Sequence, residues 1–537
     1  MHTLPIVASR RRLAHGRAVP GRTRARRALQ RHALLVVSLF AVPVALPAQT
    51  RAVQLDGEVR TARYLDSIRA DPARLLVFLR ELPKGGDIHS HLSGAVYAET
   101  YIAWAAEAGL CARVEDITLV PPPCDEAAGR PPVARALRDA ALYDLLIDGM
   151  SMRNRHPAQR SGHAHFFSSF NRFRLVSGSS RTGFMLAEVA ARAAAGRVGY
   201  LELMFTVDGP RASDLGRSIG FDPDLARFRE RLLQAGLRDT VQVARRLLDA
   251  AIAQQRSALQ CDAPRPAAGC DVVIRVLYQV GRAQPPEHVF AQLVLGFELA
   301  ASDERVVGVN LVQPEDSYFA MRDYSLHMRM IELLRRLHPQ VQLALHAGEL
   351  APGLVPPEGL RFHIREAVRI ARARRIGHGV SIAYEDSAGA LLEEMASRNV
   401  LVEIGLSSND HILGVRGSAH PLQLYLTHGV PVTLVTDDEG VLRSDITLEY
   451  MRAVQEHGLG YIMLKNIARN SLEHAFVEGE SLWREAQPGT PAAACAGAGG
   501  MVAAACRTLT ARSVKARLQW QLEQSFSAFE RRYGAAR

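Results

Sequence analysis

The sequence predicts an α/β fold, namely a (β/α)8 or TIM barrel with a helical N-terminal arm and insertions. Short apolar strands alternate with helical segments along most of the 537 residues, as a parallel barrel requires. Polar side chains directly follow several of these strands, and the carboxyl ends of the strands are where a barrel builds its active site. Apolar residues make up 48% of the chain, which is enough to bury a large core in one domain.

The first 48 residues are typical of a secretory signal peptide. A basic region precedes a 13-residue apolar run over 33–45, which is short for a membrane span, and small residues follow near Ala48. The alternative is an uncleaved amphipathic anchor, because Leu46 stands where a small residue usually precedes the cut. We expect a secreted or periplasmic protein with no stable membrane insertion once the signal is removed.

The basic excess of the chain belongs to this leader. The chain has 65 Lys and Arg against 55 Asp and Glu, and nine of the arginines lie within 1–48, so residues 49–537 hold 56 against 55. A net charge near +1 indicates no nucleic-acid partner and no anionic membrane surface. The oligomeric state stays open.

The remaining chain divides into three parts. Residues 49–81 show a broken helical period, and Asp71-Pro72 begins a second helix, so they predict a helical arm. Residues 82–485 hold the barrel, with an insertion at about 95–160 that is too long for an ordinary strand-to-helix connection. Residues 486–537 combine a Pro- and Ala-rich surface loop with a final helix from about 508 to 533.

Eight strands are expected in the barrel. They are a strand that runs into His89 and the segments 199–205, 272–280, 305–312, 342–346, 375–377, 401–405 and 430–436. A single long helix is expected over about 222–258.

Six cysteines fall into three local pairs, each of which brackets a loop. The pairs are Cys111 with Cys124, Cys261 with Cys270, and Cys495 with Cys506. We expect three disulfides formed in an oxidising compartment. Six unpaired buried thiols are the alternative, because connectivity cannot be read from sequence.

The most informative stretch runs over 82–94 and contains His89-Ser90-His91. Side chains alternate along a strand, so the two imidazoles point to the same face and form half of a metal site. Alone this signal is weak in a chain with 19 histidines. His163 and His165 form a second His-x-His pair, but no complementary ligands accompany them, and the phenylalanines that follow predict a pocket or core wall.

Three further strands end in groups that could complete the site. His346-Ala347-Gly348-Glu349 follows an apolar run, His378 lies between two glycines, and Asp437-Asp438 ends a buried strand. The glycines beside His378 allow other groups to approach the backbone closely.

Together these motifs resemble the adenosine deaminase family of the metal-dependent amidohydrolases. The motifs Pro-Lys-Gly-Gly-Asp-Ile-His-Ser-His-Leu, His-Ala-Gly-Glu, Gly-His-Gly and Thr-Asp-Asp occur in this order over about residues 80–480. The Lys-Gly-Gly and the leader are more similar to the secreted, growth-factor-related branch. The resemblance implies hydrolytic deamination of a purine nucleoside, a small-molecule partner, with loss of ammonia and a 6-oxopurine product.

The ligand set and the roles of the other residues follow from that resemblance. His89, His91, His346 and Asp437 suit one Zn2+ per chain with a position left for water, whose pKa the metal lowers from 15.7 to about 7. Glu349 is expected to protonate the purine ring nitrogen beside the attacked C6, which requires a raised pKa. His378 is expected to orient the hydroxide, and Asp438 to accept a hydrogen bond from the purine.

The sequence departs from the family pattern on the substrate side. Ser93 stands where many relatives carry an acid that reaches the ribose, and Gln313-Pro314 stands where a glycine amide commonly meets the purine. Glu439 replaces a common proline. Gln313 keeps an N–H, whereas Pro314 has none. Adenosine, adenine, a deoxynucleoside, methylthioadenosine and a nucleotide therefore stay open as substrates.

Two other functions compete with deamination. A cyclic amide hydrolase of the same superfamily often needs two metals and a modified lysine, and no lysine ends a predicted barrel strand here. A secreted nucleoside-binding protein without catalysis is the other alternative, although every expected ligand and Glu349 is present.

Overall fold

The computed structural model describes residues 48–154, 161–484, 487–496 and 503–535. The predicted signal peptide lies outside the described residues, apart from Ala48. The described residues after position 48 belong to one compact unit. Within these ranges, no helix combines the length and the apolar character needed to cross a bilayer.

Eight parallel strands form the barrel, which confirms the predicted fold class. They are β1 (Gly85–His91), β2 (Val198–Phe205), β3 (Val273–Gly281), β4 (Val306–Val312), β5 (Gln342–Ala347), β6 (Arg375–His378), β7 (Leu401–Ile404) and β8 (Val432–Leu434). They pair in chain order from β1 to β8. Most of them read as apolar runs because both faces are buried, one against the barrel interior and one against helices. β1 and β6 are the exceptions, since they carry polar side chains inside the barrel.

The barrel closes where β8 ends. The last strand is shorter than the predicted 430–436, and the chain beyond it bridges back to β1 between Ser90 and Asp437. The amide of His91 donates to the carbonyl of Asp437 over 2.9 Å, and the amide of Asp437 donates to the carbonyl of His89 over 3.0 Å. The seam of the barrel therefore passes through three candidate ligand positions.

Helices surround the strands. Those that follow the strands and pack on the barrel are Thr182–Ala195, Arg238–Ala258, Pro286–Ala300, Tyr318–Leu337, His363–Arg369, Ala388–Ser397, Leu422–Thr427 and Tyr461–Glu473. Shorter connecting helices are Leu92–Ala95, Arg211–Ile219, Leu225–Leu232, Leu406–Leu413, Glu439–Leu442 and Ile446–His457. The single helix expected over 222–258 is divided into two helices. The division lies at Leu233–Leu237, where Gly236 has a φ of 111°.

The arm consists of two helices, as predicted. They are Ala48–Ile68 and Pro72–Glu81, and Asp71 caps the second by accepting bonds from the amides of Ala73 and Arg74. The arm packs against the last helix, Val514–Gly534, with the rings of Phe78 and Phe529 4.9 Å apart. The final helical segment is also two helices, since Ser513 ends Ala504–Arg512 and caps its successor.

The insertion after β1 contains helices on both sides of its proline run. The helices Ala98–Glu107 and Ala140–Met150 flank a hairpin of Cys111–Arg113 with Thr118–Val120. The helix Gly162–Phe173 follows and borders the barrel cavity. The three predicted disulfides are confirmed, and they are Cys111–Cys124, Cys261–Cys270 and Cys495–Cys506.

Candidate active site

A cavity of about 580 Å3 opens at the carboxyl ends of the barrel strands. The predicted site residues that line it are His91, Ser93, Gln313, His346, Glu349, His378, Asp437 and Asp438. His89 lies just beneath them, fully buried. The structure thus brings together all nine residues predicted for the metal, the chemistry and the substrate.

Three distances among four of these side chains match the spacing of ligand atoms in a tetrahedral metal site. Asp437 Oδ1 lies 3.5 Å from His89 Nε2 and 3.4 Å from His91 Nε2, and His91 Nε2 lies 3.2 Å from His346 Nε2. Two ligand atoms that are about 2.0–2.1 Å from a tetrahedral zinc ion lie roughly 3.3–3.4 Å apart. His89 Nε2 is buried and hydrogen-bonds to none of the described residues, so a metal ion would give it a partner.

Each of the three predicted histidine ligands uses its other ring nitrogen to meet an oxygen atom. His89 Nδ1 lies 2.6 Å from Glu403 Oε2, His91 Nδ1 lies 3.1 Å from Gln279 Oε1, and His346 Nδ1 lies 2.9 Å from Asn310 Oδ1. An oxygen acceptor there places the proton on Nδ1 and leaves the Nε2 lone pair toward the candidate metal position. These residues fit zinc in both geometry and tautomer.

The sequence analysis missed these three partners. Glu403, Gln279 and Asn310 each stand within an apolar strand, on β7, β3 and β4. A polar side chain inside a buried strand indicates a hydrogen-bond partner, because burial without one is costly. Which histidine it would meet depends on the three-dimensional arrangement of the strands, which the sequence alone does not specify.

Distance alone also permits a different ligand set. His89, His346, His378 and Asp437 offer atoms that all lie within 4.8 Å of one another, and so do His91, Asp437 and Asp438. His378 differs from the other histidines in its partner, because its Nδ1 lies 3.0 Å from the amide nitrogen Nδ2 of Asn409.

The glycines beside His378 let neighbouring groups approach the backbone closely, as the sequence predicted. A side chain at position 377 would come within 2.7 Å of the His89 ring. At Gly94, a Cβ atom would collide with the Asp438 carboxylate. Three site residues, Gln313, His378 and Asp437, have φ values of 77°, 66° and 59°, in the left-handed region that non-glycine residues rarely adopt.

Glu349 is held as a buried acid beside the cluster. The amides of Gly348 and Glu349 donate to the Glu315 carboxylate over 3.0 and 2.8 Å, which fixes the turn after β5. Burial, together with the charge of Asp437, raises the pKa of Glu349 well above its ordinary value. Burial alone would also raise the pKa of Glu315, but Arg282 and His363 beside it lower it to about 2. The surroundings therefore shift the pKa values of these two neighbouring carboxyls in opposite directions.

The pKa values of Asp437 and Asp438 are also shifted in opposite directions. Burial would raise the pKa of Asp437, but the contact with His89 and the other imidazoles lowers it. Burial and the Asp437 charge raise the pKa of Asp438. Asp438 Oδ1 has no hydrogen-bond partner among the described residues and lines the cavity.

The second His-x-His pair does not lie in the candidate metal site. His163 Nε2 lies 2.8 Å from Asp316 Oδ1, and His165 Nε2 lies 2.8 Å from the carbonyl of Ser151. The phenylalanines at 166, 167 and 170 line the cavity, which confirms the predicted wall.

A second charged cluster lies deeper in the barrel. Arg375 is fully buried and forms ion pairs with Glu202 Oε2 at 2.6 Å and Glu403 Oε1 at 2.5 Å. It also donates to the carbonyls of Ile88 and His474. Glu202 is thus a paired core acid, and Glu403 connects this cluster to His89.

Comparisons with known proteins identify the family to which this barrel is similar. The model of the family described as adenosine deaminase matches residues 151–483. Adenosine deaminases of two Escherichia coli strains, SMS-3-5 / SECEC and SE11, are 38% identical over 139 residues, which are 26% of this chain. The chain spans 38% of the length of these curated relatives.

Solved structures share the fold. Arabidopsis ADAL complexed with IMP is 19% identical with a TM-score of 0.52, covering 83% of this chain and 98% of that one. An amidohydrolase from Burkholderia ambifaria with bound Zn is 15% identical with a TM-score of 0.52, covering 86% and 95%.

Proposed function

This chain belongs to the adenosine deaminase family, and from that premise we propose that it is a zinc-dependent hydrolytic deaminase of adenosine or a related 6-aminopurine nucleoside. The observation that carries the proposal is the close approach of His89, His91, His346 and Asp437 at distances that suit a tetrahedral metal ion, beside a buried Glu349 whose pKa is raised. The zinc in the Burkholderia ambifaria amidohydrolase supports the choice of metal.

The proposed reaction adds water to C6 of the purine and releases ammonia. When bound, zinc supplies a Lewis acid that lowers the pKa of a water molecule to about 7. Glu349 donates its proton to the ring nitrogen beside C6, which removes the aromaticity of the ring and makes the carbon electrophilic. The raised pKa of Glu349 supports this role, because an ionised carboxylate has no proton to give.

The other cavity residues bind and orient the substrate. His378 stabilises charge on the attacking oxygen, and its Nε2 lies 3.9 Å from Glu349 Oε1, which supports a position near the reacting atoms. Asp438 accepts a hydrogen bond from the purine. Ser93 and Gln313 contact the sugar and base edges, and the phenylalanine wall limits water.

The composition of the cavity favours an uncharged substrate. None of its lining residues within the described ranges is Lys or Arg, whereas Glu349, Asp437 and Asp438 are acids. A phosphate group would therefore find no Lys or Arg side chain among these lining residues to pair with. A nucleotide is the second candidate, because the neighbour from Arabidopsis is complexed with IMP.

We also propose that the protein acts outside the cytoplasm. Residues 1–48 are the signal peptide, 49–81 the arm, 82–485 the catalytic barrel and 486–537 the disulfide-tied loop and C-terminal helix. The three disulfides support an oxidising compartment.

Turnover of a substrate panel tests the proposal. Zinc-loaded protein that starts at Gln49 is incubated with adenosine, deoxyadenosine, adenine and AMP, while the ultraviolet change and ammonia release are followed. We expect turnover of a nucleoside, and its loss in the Glu349→Gln variant and after chelation. Faster turnover of AMP would favour the nucleotide, and no turnover of any 6-aminopurine would overturn the proposed function. Two tightly bound metals with turnover of a cyclic amide would favour the other hydrolase class.

A further inference from the structure

A backbone amide fixes the protonation of a buried histidine behind the active site. The amide of Leu422 lies 3.1 Å from His420 Nδ1, and a backbone N–H can only donate. His420 Nδ1 must therefore be the bare, accepting nitrogen of a neutral ring. Burial lowers the pKa of His420 to about 3, so the ring is neutral and its proton is on Nε2.

That proton determines the orientation of the next side chain. His420 Nε2 lies 2.9 Å from the Asn409 side chain. Because Nε2–H donates, the atom of Asn409 that faces it must be the acceptor Oδ1 and not the amino group. The amino group of Asn409 then faces His378, with Nδ2 3.0 Å from His378 Nδ1. Asn409 and His378 are fully buried, and His420 is 4% exposed, so solvent offers no competing partner.

An amino group can only donate, so His378 Nδ1 must accept and its proton must be on Nε2. We infer that Asn409 and His420 are positioning residues that hold His378 in the Nε2–H tautomer, so that it donates a hydrogen bond into the cavity and does not ligate the metal. The inference rests on the proposed function for its catalytic meaning, whereas the tautomer itself does not.

The contrast with the other three histidines supports the assignment. Those rings meet oxygen acceptors at Nδ1 and present a lone pair at Nε2, whereas His378 meets a nitrogen donor and presents an N–H. The amide of His346 donates to Asn310 Oδ1 over 3.0 Å, so the orientation of Asn310 is fixed by a backbone donor in the same way. The chain thus uses two asparagines in opposite senses to set opposite tautomers.

This assignment decides between the two ligand sets that distance permits. A ring with a proton on Nε2 has no lone pair there to offer a metal, so His91 completes the set and His378 does not. His378 Nε2 has no hydrogen-bond partner among the described residues, so its N–H is free for a ligand in the cavity. A hydrogen-bond donor at this position stabilises negative charge on an attacking oxygen.

Nitrogen NMR of protein labelled with 15N-histidine tests the tautomer without any turnover. The signal of His378 is identified by its loss in the His378→Gln variant. We expect zinc-loaded protein to show His378 protonated at Nε2 and bare at Nδ1. A spectrum with the proton on Nδ1 would overturn the inference, whatever the activity of the protein.

The Asn409→Asp variant tests the role of the asparagine. A carboxylate can only accept, so His378 should move its proton to Nδ1 and turn a lone pair toward the metal. We expect kcat to fall about 100-fold with KM within about threefold, as for loss of one oxyanion donor, and zinc affinity in a chelator competition to be unchanged or tighter. An unchanged His378 tautomer, or a loss confined to melting temperature, would overturn the assigned role.

The Asn310→Asp variant is the matched control for the spectrum. Asn310 already acts as an acceptor, so the same substitution should leave His346 protonated at Nδ1. A tautomer change there would show that the added charge alone moves the protons, and it would count against the inference. Failure of the proposed function is recognised separately, by absence of turnover in wild-type protein that shows the expected His378 tautomer.

Discussion

Two charged clusters lie one above the other inside the barrel, and they differ in how fully their polar atoms are paired. In the lower cluster, Arg375 meets two carboxylates and two carbonyls. In the upper cluster, His89 Nε2, His378 Nε2 and Asp438 Oδ1 are buried and hydrogen-bond to none of the described residues. Arg375 Nε and Glu403 Oε1 in the lower cluster also form no hydrogen bond, but they face each other over 2.5 Å as an ion pair. The three upper atoms instead face the cavity or the candidate metal position, which distinguishes a site prepared for ligands from a cluster that supports the fold.

Glu403 belongs to both clusters. One of its oxygens meets His89 Nδ1 and the other meets Arg375. Burial alone would raise the pKa of Glu403, but Arg375 and His89 lower it, so it remains a charged acceptor. The difference between the clusters predicts that substitutions in the upper cluster lower activity and that substitutions in the lower cluster lower stability. Substitution of Glu403 should affect both the metal site and stability.

The largest effect is expected from Glu349→Gln in the upper cluster. The amide cannot supply the proton that the purine ring needs, so kcat should fall by about 10³- to 10⁴-fold, about 4–5.4 kcal/mol. Steady-state kinetics measures the loss, and zinc content by atomic absorption is the control, which should stay at one ion per chain. Retention of more than a tenth of the activity would remove Glu349 from the mechanism.

The next largest effect is expected from Arg375→Met in the lower cluster. The change leaves Glu202 and Glu403 buried without their cation, which costs about 3–5 kcal/mol of unfolding free energy. Urea denaturation followed by fluorescence measures it. Arg369→Ala, which breaks an ion pair with Glu394 at the surface, is the matched control and should cost at most about 1 kcal/mol. Equal costs for the two variants would contradict the structural role of the lower cluster.

Glu403→Gln should produce an intermediate effect on both clusters. The neutral amide is a weaker acceptor for His89 Nδ1–H, so zinc affinity should fall about 10- to 100-fold, and the melting temperature should also fall. Competition with a fluorescent chelator measures the affinity. Glu202 contacts Arg375 but not His89. The Glu202→Gln variant should therefore have lower stability and an unchanged zinc affinity. The same zinc affinity in both variants would show that Glu403 does not support the metal site.

Ser93→Ala should have the smallest effect. Ser93 lines the cavity and its hydroxyl would contribute one neutral hydrogen bond to the sugar, about 1 kcal/mol. We expect KM for the nucleoside to rise about two- to fivefold with kcat, zinc content and melting temperature unchanged. A large fall in kcat would place Ser93 in the reaction chemistry, contrary to its proposed role in binding.

The sequence predicted the residues that point into the cavity better than it predicted those behind them. His89, His346, His378 and Asp437 each end an apolar strand, and a strand end has a known position in a parallel barrel. Asn409 lies in the helix Leu406–Leu413 and His420 directly follows the turn Gly417–Ala419, and their order in the hydrogen-bond chain depends on side-chain orientation. Arg375 was expected only as the first residue of a strand, because a charged residue there gives no indication that it will lie inside the barrel.

The break at Gly236 shows a similar limit. Its apolar neighbours keep the helical period, so the pattern predicts one continuous helix. Glycine adopts either a helical φ or a positive φ at little cost, and Gly236 has the positive one. In the same way, β8 ends at Leu434 and the chain bridges to β1 at Asp437, an arrangement that the sequence alone does not specify.

The closure of the barrel at Asp437 has a consequence for the order of assembly. The first and last strands meet through backbone bonds at His89, His91 and Asp437, which are also candidate ligands. A metal ion at this position would connect the two ends of the barrel, and the full ligand set would exist only when residue 437 lies beside residue 89. A chain truncated before residue 437 would therefore lack the complete set, so full occupancy of the site would distinguish complete barrels from truncated ones.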